Sequence, residues 1–231
     1  MKTALLVIAT GERYHQYINP LLLSARTYFV PHMPIVWSDR RYDIPELPRF
    51  YKENEGFPLT TLHRYHTFLE QRRTLECYDY LYYVDVDMEF VAPVTEDEIF
   101  ADGIVATEHP GYLGLNGTPE KNPESSAYCP IVRNYVCGGF NGGTTEAFLK
   151  MAENIVAGID QDTKKGIKAV WNDESFLNRY IFENPPAKLL TPSYCFPESE
   201  YRQPGGYYSA IWAAAGRTGI VPKLLALDKV K

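Results

Sequence analysis

The sequence predicts an α/β fold, an open mixed sheet flanked by helices. Three observations carry this expectation: short continuous apolar runs that read as buried strands, helical repeats of apolar residues between them, and Gly, Pro and Asn at the junctions.

The first apolar run is 4–9, followed by a glycine turn at Gly11. From Ile18 onward Leu21, Leu22, Ala25 and Phe29 recur at helical spacing, and Pro20 is tolerable in the first turn of a helix that starts there. Pro31 and Pro34 bound a second short strand, Ile35-Val36-Trp37, which ends at Ser38-Asp39. Residues 40–58 are rich in loop formers, and Thr60 or Thr61 is predicted to cap a helix burying Leu62, Tyr65, Phe68 and Leu69. Leu81-Tyr82-Tyr83-Val84 is the third strand. Residues 109–144 combine Gly, Asn, Pro and Tyr with little periodicity and are expected to form loops and short strands. Thr144 or Thr145 opens a helix carrying Phe148, Ala152, Ile155 and Val156. A last helix starts near Asp173, carries Phe176, Leu177, Tyr180 and Ile181, and stops before Asn184-Pro185-Pro186.

Composition narrows the function classes. The 231 residues carry a net charge of −6, the wrong sign for a general nucleic-acid binder. The 18 tyrosines suit carbohydrate, because the ring stacks on a sugar face while the hydroxyl bonds; a tyrosine-rich core explains them as well. Cys77, Cys129, Cys137 and Cys195 show neither a Cys-x-x-Cys pair nor metal-ligand spacing, and read as free thiols of a reducing compartment. The apolar run at the N-terminus is too short for a signal peptide, and no run reaches the ~20 residues of a membrane span. A cytoplasmic protein is expected.

Chemistry concentrates in a few motifs. In Asp85-Val86-Asp87 the two carboxylates, two residues apart in an extended chain, project to one side just where a buried strand ends. Like charges so placed are unfavourable unless a cation sits between them, and ligands of open α/β sheets bind beyond the carboxyl ends of strands. Asn172 or Asp173 is placed to cap the following helix, leaving Glu174 in its first turn, where the helix dipole favours an ionised carboxylate. Beside apolar Trp171 such a group suits a nucleophile or a stabiliser of an oxocarbenium-like centre; capping alone also explains it. Gly138-Gly139-Phe140-Asn141-Gly142-Gly143 fits no phosphate-loop spacing but permits close backbone approach to a ligand. His109-Pro110-Gly111-Tyr112 joins an imidazole to a turn.

Together, Asp-Val-Asp-Met-Glu-Phe (85–90), His-Pro-Gly-Tyr (109–112), Gly-Gly-Phe-Asn-Gly-Gly (138–143), Ala-Val-Trp-Asn-Asp-Glu-Ser (169–175) and Leu-Thr-Pro-Ser-Tyr (190–194) resemble the blocks of glycosyltransferase family 6. These are the retaining α-1,3-galactosyl- and N-acetylgalactosaminyltransferases that include the histo-blood-group A and B enzymes. The resemblance begins near residue 5, is strongest from 80 to 194, and is to a minimal microbial or viral member without membrane anchor or stem. It implies the GT-A, Rossmann-like nucleotide-diphospho-sugar transferase fold as one domain: about 1–108 for nucleotide, about 109–215 for acceptor and catalysis, and a basic tail at 216–231.

The resemblance also implies roles. The Asp85-Val86-Asp87 turn binds the donor diphosphate, with Asp85 and Asp87 on Mn²⁺ (Mg²⁺ as the alternative). Tyr14 stacks on uracil, and Ala9 and Thr10 line that pocket. Arg64 contacts donor sugar or diphosphate, Asp173 a donor-sugar hydroxyl, and Glu174 holds the nucleophile position and also meets the acceptor. His109 and Trp171 bind the acceptor. Val221-Pro222-Lys223 and Lys229 belong to a tail that closes over the diphosphate. The donor is a UDP-sugar and the acceptor an oligosaccharide.

Three departures from the family pattern sharpen the expectation. Bacterial members often carry Asn-x-Asn and work without metal, so the aspartates here argue for metal dependence. Asn172 replaces a usual His of the Trp-His-Asp-Glu block, which alters acceptor geometry. Cys137-Gly138-Gly139 occupies the donor-selecting stretch, and its small residues leave room for an N-acetyl group, favouring UDP-GalNAc over UDP-Gal by only ~1–3 kcal/mol. The competing readings are a metal-dependent nucleotidyltransferase, which lacks a basic Gly-rich phosphate loop here, and a non-catalytic glycan-binding relative.

Overall fold

The structure, a computed structural model, describes residues 1–40, 48–132 and 134–228. The predicted strand at 4–9 is β1 (Thr3–Ala9), buried along its whole length. Helix α1 (Glu12–Tyr28) starts earlier than its apolar spacing suggests. Gly11, at φ 86°, turns the chain directly from β1 into the helix, so Pro20 falls in the helix interior rather than its first turn. β2 (Met33–Ser38) and β3 (Arg49–Tyr51) follow, the latter within the stretch expected to be loop.

The helix expected after residue 60 is three short pieces: α2 (Leu59–Leu62), α3 (Arg64–Glu70) and α4 (Arg72–Leu75). Pro58, not a threonine, holds the N-cap position of α2, and Thr60 Oγ1 instead lies 3.3 Å from Thr10 Oγ1. β4 (Tyr80–Val84) runs into the Asp85 turn, followed by β5 (Met88–Phe90), α5 (Glu96–Ile99) and β6 (Ile104–Glu108).

The largest correction concerns Gly138–Gly143. These residues form no loop but lie within β7 (Val136–Thr144), a nine-residue strand beside β4. Glycine suits this strand because large aromatic rings lie across it: a Cβ at Gly142 would sit 2.4 Å from both Leu81 O and the Tyr82 ring. A strand whose side-chain positions are empty shows no alternation of apolar residues, so its period was not visible.

Helix α6 (Thr145–Lys164) and helix α7 (Asp173–Glu183) match expectation, and β8 (Lys188–Leu190) closes the sheet edge. The C-terminal part adds β9 (Phe196–Pro197), α8 (Glu198–Arg202), α9 (Tyr207–Ala214) and β10 (Leu224–Ala226).

The described residues form a seven-stranded mixed sheet in the order β3-β2-β1-β4-β7-β6-β8. Strands β1 to β4 pair in parallel, while β7 runs antiparallel to β4 and β6. A small sheet, β5-β10-β9, packs beside it. One core, built around Trp37, Tyr65, Phe68 and Phe148, lies under α3, α6 and α7; a second, around Phe29, Tyr82, Phe90 and Phe140, lies under α1. From β1 the chain builds outward to β2 and β3, then returns to place β4 on the other side of β1. The strand order therefore reverses between β1 and β4, where diverging connections leave a crevice.

Candidate active site

That crevice is occupied by a cleft of about 260 Å³. The ends of β1 and α1 supply Ile8, Thr10 and Tyr14; the end of β4 supplies Tyr83, Asp85, Val86 and Asp87; β7 supplies Gly138 and Gly139. Trp171, Asp173 and Glu174 come from the start of α7, and Arg64 from α3. Asn54, Gly56, Phe57, Thr60 and Thr61 complete the wall. The turn after β1 is pinned by Asp39, whose oxygens accept from Gly11 N–H at 3.0 and 3.1 Å and contact His15 Nε2 at 2.7 Å.

Arg64 is the centre of the charged array. Its Nε lies 2.8 Å from Asp173 Oδ2 and its Nη1 lies 3.5 Å from Asp85 Oδ1. Nη1 also donates to Gly138 O at 2.8 Å, and the guanidinium carbon sits 4.4 Å from the centre of the Tyr83 ring. Burial works against its charge, yet Asp173, Tyr83 and Asp85 hold it protonated and push its pKa well above the usual value.

Asp173 is completely buried, and burial raises its pKa to about 7 against the opposing pull of Arg64. Its contact with Arg64 is an off-line ion contact: neither carboxylate oxygen has a well-aligned hydrogen bond among the described residues. Asp173 is therefore not a helix cap. Asn172 stands at the N-cap position of α7 with φ 50° but makes no side-chain capping bond; Ser175 Oγ accepts from Trp171 N–H at 2.9 Å instead.

Glu174 is oriented from both sides. Oε1 accepts from the Tyr135 hydroxyl and Oε2 from Gly138 N–H, each at 2.9 Å. Burial raises its pKa, and those two bonds moderate the rise. The helix that carries it is fastened to β7 by buried Asn178, which accepts from Val136 N–H and donates to Val136 O, both at 2.9 Å. Asp85 accepts from the Tyr83 hydroxyl and donates its own N–H to Gly139 O at 2.8 Å. The missing side chains of β7 matter here: a Cβ on Gly139 would stand 3.2 Å from Asp85 Oδ2, and one on Gly138 3.6 Å from Glu174 Oε2.

Asp85 and Asp87 both face the cleft, and no group of three His, Cys, Asp or Glu side chains among the described residues could enclose a metal. A cation held here would take its further ligands from substrate and water. Two hard carboxylates with open positions suit Mn²⁺ or Mg²⁺.

Of the residues singled out in the sequence, the structure brings Thr10, Tyr14, Arg64, Asp85, Val86, Asp87, Gly138, Gly139, Trp171, Asp173 and Glu174 to this one cleft. Four others lie elsewhere. Ala9 is fully buried within β1. Cys137 is buried, and its free thiol hydrogen-bonds with that of Cys195 rather than lining the cleft. His109 sits behind Tyr135, with ring centres 5.8 Å apart, and its Nδ1 accepts from Gly111 N–H at 3.1 Å. Lys223 leads into β10, where its ammonium pairs with Glu98 and donates to Pro93 O, because β10 completes the small sheet instead of crossing the cleft. Lys229 lies outside the described residues. Tyr83 and Tyr135 were missed. Tyr83 was legible, two residues before Asp85 on the same side of the strand; Tyr135 carries no local signal, since only folding brings it to Glu174.

Burial lowers the His109 pKa to about 4. The unfolded chain takes up this proton near pH 6.5 and the folded protein does not, so stability rises with pH between about 4 and 6.5 and is fully retained above. The contribution lost on acidification is up to roughly 3 kcal/mol. His109→Gln is expected to flatten that limb relative to wild type in urea unfolding at pH 7, 6, 5 and 4.5. Parallel profiles for the two proteins would refute the assignment.

An acidic cleft beyond the carboxyl ends of two parallel strands, where strand order reverses, places this chain among the α/β proteins that bind ligand at a topological switch point. A model of glycosyltransferase family 6 matches residues 49–206, and the chain belongs to that family. It is 36% identical over 136 residues to the rat histo-blood group ABO system transferase 1, a match covering 57% of this chain and 38% of the rat protein. To the Escherichia coli O-antigen biosynthesis glycosyltransferase WbnI it is 26% identical over 203 residues, covering 83% and 86% of the two chains. To the chicken globoside alpha-1,3-N-acetylgalactosaminyltransferase 1 it is 32% identical over 131 residues, covering 54% and 38%. The chain thus matches less than half the length of the rat and chicken relatives.

Proposed function

We propose that this chain is a retaining glycosyltransferase that moves N-acetylgalactosamine, or galactose, from a UDP-sugar in α-1,3 linkage to a galactose-terminated glycan, with or without a fucose branch. One observation carries the reading. Asp85, after β4, and Glu174, at the start of α7, are far apart in sequence yet share one cleft, with Arg64 between them. Membership of family 6 supports glycosyl transfer, and the chicken relative's name supplies the linkage and the sugar.

Asp85 and Asp87 would hold Mn²⁺ or Mg²⁺ together with the donor diphosphate. When bound, the metal neutralises charge gathering on the departing nucleoside diphosphate. Tyr14 and Thr10 would line the uracil pocket at the end of β1. Asp173, with two buried acceptor oxygens lacking well-aligned donors, would take donor-sugar hydroxyls; Arg64 keeps its carboxylate in place. Glu174 would face the anomeric carbon, either forming a covalent glycosyl intermediate or stabilising the oxocarbenium-like centre while the acceptor hydroxyl attacks from the same side. Half-exposed Trp171 would stack on the acceptor. Gly138 and Gly139 leave space beside the donor sugar, supporting N-acetylgalactosamine over galactose. No helix among the described residues is long and apolar enough to cross a membrane, and a cytoplasmic site of action is part of the proposal.

The test is transfer from UDP-GalNAc and UDP-Gal to 2′-fucosyllactose, with and without EDTA, followed by UDP release and product linkage. Transfer is expected from both donors, faster from UDP-GalNAc by ~10-fold or more, and abolished by EDTA. Full activity in EDTA would remove the metal from the reading; glycan binding without UDP release would leave a non-catalytic relative.

A further inference from the structure

The register of β6 against β7 breaks at the site. Thr107 pairs with Cys137 and Ala106 with Asn141, so a one-residue step on β6 faces a four-residue step on β7. Gly138, Gly139 and Phe140 fall in that break. A bulge releases backbone groups from the ladder, and buried groups so released must find other partners. Here they do. Gly138 N–H goes to Glu174, Gly139 O accepts from Asp85 N–H, and Gly138 O accepts from Arg64. Two further bonds come from side chains outside the cleft: Asn141 Nδ2 donates to Gly138 O at 3.1 Å, and Thr107 Oγ1 donates to Phe140 O at 2.8 Å.

We propose that Asn141 and Thr107 are positioning residues, which clamp the bulge of β7 so that Gly138 N–H is held on Glu174. The inference rests on the reading of Glu174 as the group facing the reacting sugar. Two adjacent glycines have no Cβ to restrict φ and ψ, so the bulge cannot hold its own shape. Something else must fix the Gly138 peptide, and Arg64 alone is shared with Asp85 and Asp173.

The Asn141 side chain meets the hydroxyl of buried Tyr65 as well as the bulge. It is completely buried in a central strand, and its Oδ1 has no well-aligned partner among the described residues. Leucine would match its branched shape without burying an unsatisfied carbonyl. The well-formed bond of the amide is the one to Gly138. Thr107 is equally buried, and its hydroxyl satisfies the carbonyl of the last bulged residue. Clamped at both ends, the bulge presents one N–H to Glu174 and leaves no side chain between Glu174 and Asp85.

The test compares Asn141→Leu, Thr107→Val and Thr107→Ser in the full chain. Amide hydrogen exchange is followed by NMR at Gly138 and Gly139, with Gly142 and Gly143 of the same strand as internal controls, alongside steady-state transfer kinetics. Asn141→Leu and Thr107→Val are expected to speed exchange at Gly138 at least ~10-fold while the control glycines move less than ~2-fold. The same variants should lower kcat by ~10-fold or more with donor KM within ~3-fold, and Thr107→Ser should restore both readouts. Thr107→Val keeps nearly the same volume, so it decides the matter even where Asn141→Leu fails to fold. Exchange at wild-type rates at Gly138, or a uniform rise along β7, overturns the clamp. Altered exchange with unchanged kcat in both variants overturns the positioning role. A wild-type protein that transfers no sugar overturns the reading of Glu174 instead, and the exchange arm still decides whether the clamp exists.

Discussion

Replacing Arg64 by methionine is expected to destabilise the protein more than any other single change at the site. Arg64 is 5% exposed, and its guanidinium is the positive partner for Asp173 and Asp85, besides donating to Gly138 O. Methionine fills much of the volume but leaves Asp173 buried without a counter-charge. Breaking a buried pair from one side costs about 3–5 kcal/mol, because the remaining charge is desolvated and uncompensated. At this chain length each kcal/mol lowers Tm by about 2–4 °C, so a fall of roughly 10 °C is expected.

The sign of the pH effect follows from Asp173. Its folded-state pKa, about 7, is above its ordinary value of 3.8, so the folded protein binds the extra proton between these values and its stability declines as pH rises through them. Arg64 opposes that rise. Without it the folded pKa climbs further, and the deficit of Arg64→Met is larger at pH 8 than at pH 5. Arg64→Met/Asp173→Asn should recover much of the loss, since the amide carries no charge to leave unpaired. Thermal melts at the two pH values check this; an Arg64→Met protein melting within 2 °C (about 1 kcal/mol or less) of wild type at pH 8 would sink the argument.

The second large effect is catalytic. Glu174→Gln should lower kcat by at least about 100-fold, worth about 2.7 kcal/mol of transition-state stabilisation, with UDP-sugar affinity within about threefold. The substitution is close to isosteric and compatible with the fold. The amide oxygen can take the Gly138 N–H, and the amide nitrogen can donate to Tyr135 Oη, whose hydroxyl turns to accept. What disappears is the negative charge beside the reacting carbon. Single-turnover and steady-state transfer assays, with donor binding measured separately, decide it. Wild-type turnover in Glu174→Gln would make Glu174 a structural acceptor for Gly138 and Tyr135 and nothing more.

Much of the fold was legible because strands and helices write local patterns. The apolar runs at 4–9 and 81–84 became β1 and β4, and the helical spacing around Phe148 and Phe176 became α6 and α7. The errors came where another constraint overrode the pattern. Gly11 started α1 early, Pro58 displaced the threonines from the cap of α2, and β7 carried glycines where a strand normally shows side chains. The C-terminal helices α8 and α9 lacked a periodic stripe. α9 packs by a single aromatic, Trp212, whose Nε1 donates to Pro110 O at 2.9 Å, and α8 is held by buried Glu200, which accepts from Gly205 and Gly206 N–H.

The candidate site divides in the same way. Asp85 and Asp87 beyond a buried strand, and Asp173 and Glu174 in a first helical turn, follow from spacing and chain direction, which act within a few residues. That Arg64 joins these two acidic pairs, that Tyr135 reaches Glu174, and that Lys223 turns away to Glu98 was decided by tertiary structure alone. Strand order brings β4, β7 and α7 together at the switch point, and a register break in β7 aims one backbone N–H at Glu174. Local sequence sets which groups a segment can offer. Which of them meet depends on sheet order and register, where the free energy lies in burying and pairing charges between segments distant in the chain.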